Sequence, residues 1–171
     1  MKYDNLNLGG GGLIWPDYLN FDLRHHNRGN GHAVTDVIGD INYMPFKECS
    51  FKIILCCHVI EHFYKTDAIE VIGKCYSLLK PGGILVMEAP CILGCYSYYV
   101  EKFKDVSRFI DFIYGGEDNR LKYGNDYAHK SGWTGKLMAE EMEKIGFGIV
   151  GIGIGRHHGR GKRDFRVEGV K

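Results

Sequence analysis

The sequence predicts an α/β domain on a mainly parallel sheet, a three-layer sandwich closed by an antiparallel edge. Three observations carry this. Extended β-branched stretches alternate along the chain with segments of helical periodicity. Phe51-Lys-Ile-Ile-Leu-Cys-Cys57 is almost continuously apolar, as a strand buried on both faces requires. The last two extended stretches, Phe147 to Ile154 and Phe165 to Val170, flank a basic turn and pair antiparallel.

Tyr3 to Leu8 forms a short first strand that runs into Gly9-Gly-Gly-Gly12. Tyr18 to Leu23 is the second, with Tyr18, Asn20 and Asp22 alternating against Leu19, Phe21 and Leu23. Only Leu13 to Asp17, with Pro16 among them, lie between the glycines and Tyr18. A parallel crossover needs a dozen residues or more, so the first crossover helix is missing or reduced to a turn. Ala33 to Ile38 is a third strand, ending in Gly39-Asp40, and Phe51 to Cys57 is the fourth.

Asp67 to Lys80 reads as a helix. Ile69, Ile72, Cys75 and Leu79 recur at steps of three and four, Thr66 or Asp67 can cap the start, and Pro81-Gly82-Gly83 ends it. Ile84 to Met87 is a further buried strand. Tyr96 to Tyr114 is aromatic-rich and helical, and Gly115 to Ser131 is a long polar loop. Trp133 to Ile145 is an amphipathic helix with Met138, Met142 and Ile145 inward. There is no internal repeat and no linker, and the 171 residues suit a single domain over 1–171.

A net charge of +1 argues against a dominant nucleic-acid or membrane-surface field. No apolar run approaches the roughly 20 residues of a membrane-spanning helix. Met1 to Asn7 is polar and lacks the apolar core of a signal peptide, so the expected location is the cytoplasm. Cys56, Cys57 and Cys75 sit in apolar stretches and read as small buried hydrophobes. Cys91 and Cys95 have no second pair nearby. Neither structural disulfides nor a metal ion are expected.

In an open parallel sheet, ligands sit beyond the carboxyl ends of the strands, at the point where the strand order reverses. Gly9 to Gly12 would let backbone approach a ligand closely. Asp22 ends the second strand, where a carboxylate can accept from a ribose diol. Asp40 and Ile41 end the third, a polar-apolar pair suited to an adenine amine and ring face. His58 follows the fourth.

The order of these elements resembles class I S-adenosylmethionine-dependent methyltransferases, in a short type 11-like form. Leu6-Asn-Leu-Gly-Gly-Gly-Gly12 resembles their first motif. Gly39-Asp-Ile-Asn-Tyr-Met-Pro-Phe46, then Ser50-Phe51, resembles the segment leading to the fourth strand, and Cys57-His-Val-Ile-Glu-His62 the motif after it. Leu78-Leu-Lys-Pro-Gly-Gly-Ile-Leu-Val86 resembles the junction of helix and fifth strand. The resemblance covers most of residues 3 to 90 and implies a Rossmann-like sheet with S-adenosyl-L-methionine in its cleft. Gly9 and Gly10 would face the methionine part and Asp22 the ribose hydroxyls. Asp40 and Ile41 would contact adenine, His58 would lie near the sulfonium, and Leu23 and Cys57 are further cofactor-binding candidates. Tyr114-Gly-Gly, Asp126, His129 and Gly132-Trp133 resemble a substrate-side loop of one branch. Lys52 departs from the pattern, since the fourth strand there often begins Phe-Asp.

Methyl transfer from a sulfonium needs mainly alignment of donor and acceptor. A hydroxyl or amine acceptor also gains from a general base, and histidine suits that at neutral pH. The catalytic candidates are His129, with Asp126 to orient it, and His58. His62, with Glu61 beside it, braces the loop. Tyr114 and Trp133 are candidates to line an acceptor pocket, although aromatics there are more often core.

Two patterns point elsewhere. His58-Val-Ile-Glu-His62 fits H-x-x-E-H, the inverted zinc-protease motif, but that mechanism also needs a third ligand on a partner helix, and here the motif directly follows a buried strand and sits inside the methyltransferase-like pattern. Arg156-His-His-Gly-Arg-Gly-Lys-Arg163 reads as a solvated hairpin turn rather than a nucleic-acid contact, while Arg24-His-His-Asn-Arg28 falls beside the ribose position. The expected function is methylation of a small-molecule acceptor, with a sugar or polysaccharide precursor the first class to consider. The alternative is a non-catalytic module that binds S-adenosylmethionine. The sequence leaves the oligomeric state open.

Overall fold

The computed structural model describes residues 3–11, 15–24, 35–157 and 161–171. Gly12 to Ile14, His25 to Val34 and His158 to Arg160 lie outside them, and with them the last glycine of the loop, most of the Arg24–Arg28 cluster and the start of the expected third strand.

Among the described residues, seven strands form one sheet in the order β3-β2-β1-β4-β5-β7-β6. They are β1 (Asn5–Leu8), β2 (Tyr18–Asp22), β3 (Val37–Ile38), β4 (Phe51–Cys57), β5 (Leu79–Pro90), β6 (Gly148–Ile154) and β7 (Asp164–Val170). β1 lies parallel between β2 and β4, with Leu6 opposite both Leu19 and Ile54. β7 runs antiparallel to β5 and to β6, so the antiparallel edge is as expected. No helix occurs among the described residues between β1 and β2; Gly9 N–H simply donates to Phe21 O at 2.8 Å.

Alternation along the strands sorts the side chains between two faces. One face carries Leu6, Leu8, Phe21, Phe51 and Ile54, which pack in the main core with Val71, Ile72 and Cys75 of α1 (Lys65–Leu78) and with Met138 and Met142 of α5 (Gly135–Ile145). The other carries the smaller cluster of Leu55, Cys57 and Val86. Beside it runs a polar chain: Asn7 Nδ2 donates to Asn20 Oδ1 at 3.0 Å, and Asn20 Nδ2 to Asp36 Oδ2 at 3.0 Å. Asn7 and Asn20 are buried, so these bonds stand in for lost water.

Several boundaries differ from expectation, each for a local reason. α1 starts at Lys65 after Tyr64, without a side-chain cap, and ends at Leu78. Leu79 is already extended because its backbone joins β4 opposite Phe51, so Pro81-Gly82-Gly83 lies inside β5 instead of terminating the helix. The aromatic stretch divides into α2 (Ile92–Tyr96), a π-helical continuation over Ser97–Lys102, and α3 (Val106–Ile113), whose Asp105 caps Arg108 N at 2.8 Å. The expected polar loop contains α4 (Glu117–Tyr123) and a 3-10 turn at Asn125–Tyr127. α4 buries none of its residues and so shows no apolar stripe. Acidic residues in its first turn and basic ones in its last suit the helix dipole. Trp133 precedes α5 and makes a bridge with Cys91, while Thr134 caps the helix through Leu137 N.

Lys52 pairs with Asp4 at 2.7 Å. All six cysteines are free. Among the described residues no helix is long and apolar enough to cross a membrane.

Candidate functional site

A cavity of about 660 Å³ opens at the carboxyl ends of β1, β2, β3 and β4, at the reversal between β1 and β4. Its lining includes Gly9 and Gly10 after β1, Asp22 and Leu23 at the end of β2, Asp40 and Ile41 after β3, and Cys57 and His58 at the end of β4.

The glycine loop is shaped by contacts a larger residue would break. Gly9 has φ +60°, and a Cβ there would stand 2.5 Å from Val59 Cγ2. Gly11, at φ +56°, points its N–H at Asp22 Oδ2, 3.0 Å away. The other oxygen of Asp22 accepts from Arg24 N at 3.1 Å. Asp22 therefore ties the glycine loop to the segment after β2. Asp40 caps a 3-10 turn, Ile41–Tyr43, through Asn42 N at 2.8 Å, while Ile41 is buried behind it.

Cys57 is buried, and burial first, with the Glu88 carboxylate second, pushes its thiol up to about 12; it is a neutral wall, not a nucleophile. His58 adopts φ +56°. Its N–H holds Glu88 O at 2.8 Å, its Nδ1 faces Glu61 Oε1 at 3.4 Å and its Nε2 faces Asp164 Oδ2 at 3.5 Å. The ring thus lies between two carboxylates. His157 stacks alongside, with centroids 6.4 Å apart. Burial holds the His157 imidazole below its ordinary value, against the pull of Glu88.

His129 does not line the cavity. It packs edge-on to His62, 5.1 Å between centroids, and against Phe112. Burial pushes it down to about 4, so it is neutral at physiological pH. Asp126 does not orient it: Asp126 pairs with Arg24 at 2.9 Å and lines the cavity. The separation has a local cause, because the 3-10 turn Asn125–Tyr127 points Asp126 toward β2 while Ala128 to Ser131 is drawn onto Glu61 and His62. His62 and Glu61 do brace that segment. His62 Nδ1 contacts Ala128 O at 3.2 Å, and Lys130 N and Ser131 N donate to Glu61 O at 2.7 and 3.2 Å. Burial alone would raise the Glu61 carboxyl, but the hydrogen bond from His58 and the nearby imidazoles outweigh it and hold it low.

Tyr114 and Trp133 do not line the cavity. Trp133 is core, held by Nε1–H to Ser131 Oγ at 2.7 Å, and Tyr114 faces solvent. The basic turn is not simply solvated either: Arg163 is buried, forks onto Asp164 at 2.9 and 3.0 Å, and lies over the Phe112 ring at 4.3 Å.

Residues 15–87 match the family model of a methyltransferase domain. Among solved structures the chain is similar to a SAM-dependent methyltransferase from Archaeoglobus fulgidus, at 15% identity and a TM-score of 0.67, over 99% of this chain and 86% of that one. It is similar to another from Mesorhizobium loti, at 13% and 0.63, over 99% and 91%. A third similar structure is the trans-methyltransferase CalH in complex with SAH, at 13% and 0.58, over 98% and 51%. No curated protein sequence matches. Over residues 15–87 the chain thus resembles a methyltransferase domain. Identities this low speak for the shared fold, and the family match begins after the glycine run, so the site itself rests on geometry.

The cavity recruits several residues that sequence reasoning missed. His157 comes from the β6–β7 connection and is positioned by Glu88, whose Oε2 accepts Arg156 N and His157 N at 3.0 and 2.8 Å. Asp67 comes from the first turn of α1, Tyr64 from just before it, and Tyr127 and Lys130 from the segment after α4. None of these had a signal in the sequence beyond polarity. The exception is Arg24, whose neighbourhood to Asp22 was visible.

Proposed function

We propose that this methyltransferase domain binds S-adenosyl-L-methionine in the cavity and methylates a small, hydroxyl-rich acceptor such as a sugar or polysaccharide precursor. One observation carries the reading. Eight residues picked from four separate strand ends, Gly9, Gly10, Asp22, Leu23, Asp40, Ile41, Cys57 and His58, converge on one cavity at the sheet's reversal point. Its volume falls in the range of small-molecule sites.

The residues present fit the cofactor. Gly9 offers backbone without a Cβ beside the methionine position. Asp22 offers acceptors to the ribose diol, and Asp40 a carboxylate beside the apolar wall of Ile41. When bound, the sulfonium supplies a methyl carbon already activated for displacement, so the chain's own task is alignment. His58, set between Glu61 and Asp164, is the catalytic histidine of this reading, while His129 packs behind His62 and does not reach the cavity. Tyr64, Tyr127, Asp67, Asp126 and Lys130 supply aromatic faces and polar groups suited to a hydroxylated acceptor. The single unit 1–171 works in the cytoplasm without nucleic acid. The free thiols and the burial of Arg163 within the basic turn support that.

Calorimetric titration with S-adenosylhomocysteine, then transfer of labelled methyl to a panel of sugars and sugar nucleotides, tests the reading. Failure to bind S-adenosylhomocysteine overturns it. Binding without transfer to any acceptor favours the non-catalytic module that the shortened β1–β2 link also allows.

A further inference from the structure

Beside the cavity, Glu61, His62 and His129 bring one ligand atom each to within 4.8 Å of one another. Glu61 is only 3% exposed. One of its oxygens faces His58, and the other, Oε2, is buried and has no hydrogen-bond partner among the described residues. A buried carboxylate oxygen left in this state carries a full desolvation penalty unless something compensates it. The next shell is ordered as well. His62 Nδ1 contacts a backbone carbonyl, Ala128 O, which can only accept. Nδ1 therefore carries the proton and Nε2 presents a lone pair, the arrangement that fixes metal-ligating histidines. The segment bearing His129 is stitched down from both sides: His129 N donates to Tyr114 O, Lys130 N and Ser131 N to Glu61 O, and Ser131 Oγ to Ile60 O. A Cβ on Gly115 would collide with Tyr127 O, so the Tyr114–Gly115 turn can lie directly against this segment.

We propose that Glu61, His62 and His129 form a binding site for one divalent first-row transition ion, with Zn²⁺ the preferred occupant. Two imidazoles and one carboxylate are the donor set of open zinc centres and of two-histidine, one-carboxylate iron or manganese centres. Bonds of about 2.0–2.2 Å place tetrahedral donors roughly 3.4 Å apart, so the site closes through side-chain movements on the order of an ångström. The H-x-x-E-H pattern is used differently from a zinc protease. His58 lies before the 3-10 turn Ile60–His62, at φ +56°, and faces Asp164, and the third ligand comes from a segment distant in sequence. His62 also lines the cavity, so the open coordination position would take water or a hydroxyl oxygen of the acceptor, a role that rests on the methyl-transfer reading.

The test is titration of chelator-treated, full-length protein with Zn²⁺, Co²⁺ and Mn²⁺ by calorimetry, with Co²⁺ also followed by visible absorption. The expected result is one ion per chain, Zn²⁺ tightest, with the Co²⁺ spectrum of an N/O site. His62→Ala and His129→Ala each weaken Zn²⁺ by tenfold or more, and Cys49→Ser, which removes an exposed thiol, leaves it unchanged. Circular dichroism checks each fold, and Glu61→Gln is read only through variants that remain folded. Absence of stoichiometric binding of all three ions, or binding indifferent to both histidine variants, overturns the site. S-adenosylhomocysteine titrated on the same samples separates the readings. Zn²⁺ bound without it supports the metal site and removes the proposed function, and the converse removes the metal site alone.

Discussion

The carboxylate of Asp22 accepts the N–H of Gly11 at 3.0 Å, so the end of β2 holds the loop that follows β1. One side chain thus shapes the glycine loop and stands where the ribose diol is expected. Asp22→Ala should weaken S-adenosylhomocysteine by roughly ten- to a hundredfold, the loss of one or two hydrogen bonds to a charged group. Asp22→Asn should fall between. Calorimetry decides it, and an unchanged affinity for Asp22→Ala would remove Asp22 from the cofactor site.

Gly9 and Gly11 share a positive φ but not their surroundings. Gly11→Ala meets open space and should cost about 1 kcal/mol of backbone strain. Gly9→Ala adds a collision with Val59 and should cost about 2–4 kcal/mol. In urea denaturation, Val59→Ala should recover part of the Gly9→Ala loss and none of the Gly11→Ala loss.

Arg24 donates to Tyr123 O at 3.2 Å and Asp126 Oδ2 at 2.9 Å, fastening α4 and its 3-10 turn to the end of β2. Both side chains are well exposed, so the pair itself is worth at most about 1 kcal/mol. Arg24→Ala should leave global stability nearly unchanged. Hydrogen exchange should quicken over residues 117–127, and cofactor affinity should drop only a few-fold.

Glu88 is the buried carboxylate under His157. Burial pushes its pKa up, but Arg166 at 2.7 Å and two backbone amides outweigh this, so the folded value lies below the ordinary carboxylate value of 4.5. A depressed acid stabilises the fold above its unfolded pKa, and the benefit fades as pH falls below 4.5 toward the folded value. Glu88→Gln should cost about 1–2 kcal/mol at pH 7, since Arg166 loses the Glu88 charge but keeps Glu168 at 2.6 Å. The gap between wild type and variant should narrow in urea titrations taken progressively below pH 4.5.

Much of the fold was readable because its signals are local. Phe51 to Cys57 is a strand by its own apolar run, and the brevity of Leu13 to Asp17 forbids a crossover helix. The cofactor wall was readable because each contribution sits at a strand end. What escaped depends on distant encounters. His129 reaches Glu61 and His62 through backbone bonds across the β4–α1 turn, and His157 is set by a glutamate on β5. α4 escaped because a helix that buries nothing has no apolar period to read.

The Asn7–Asn20–Asp36 chain bears on how this sheet avoids assembling wrongly. Leu6 and Leu8 flank Asn7 on the opposite face, so a one-residue slip of β1 would bury the amide among apolar side chains and turn two leucines outward. A slipped β2 would strand Asn20 in the same way, away from the Asp36 carboxylate that holds its N–H at 2.8 Å. Two strands of four and five residues have little length with which to encode their alignment. Their matched polar groups act as a proofreading mark, tolerating one pairing and penalising its neighbours before any ligand is present.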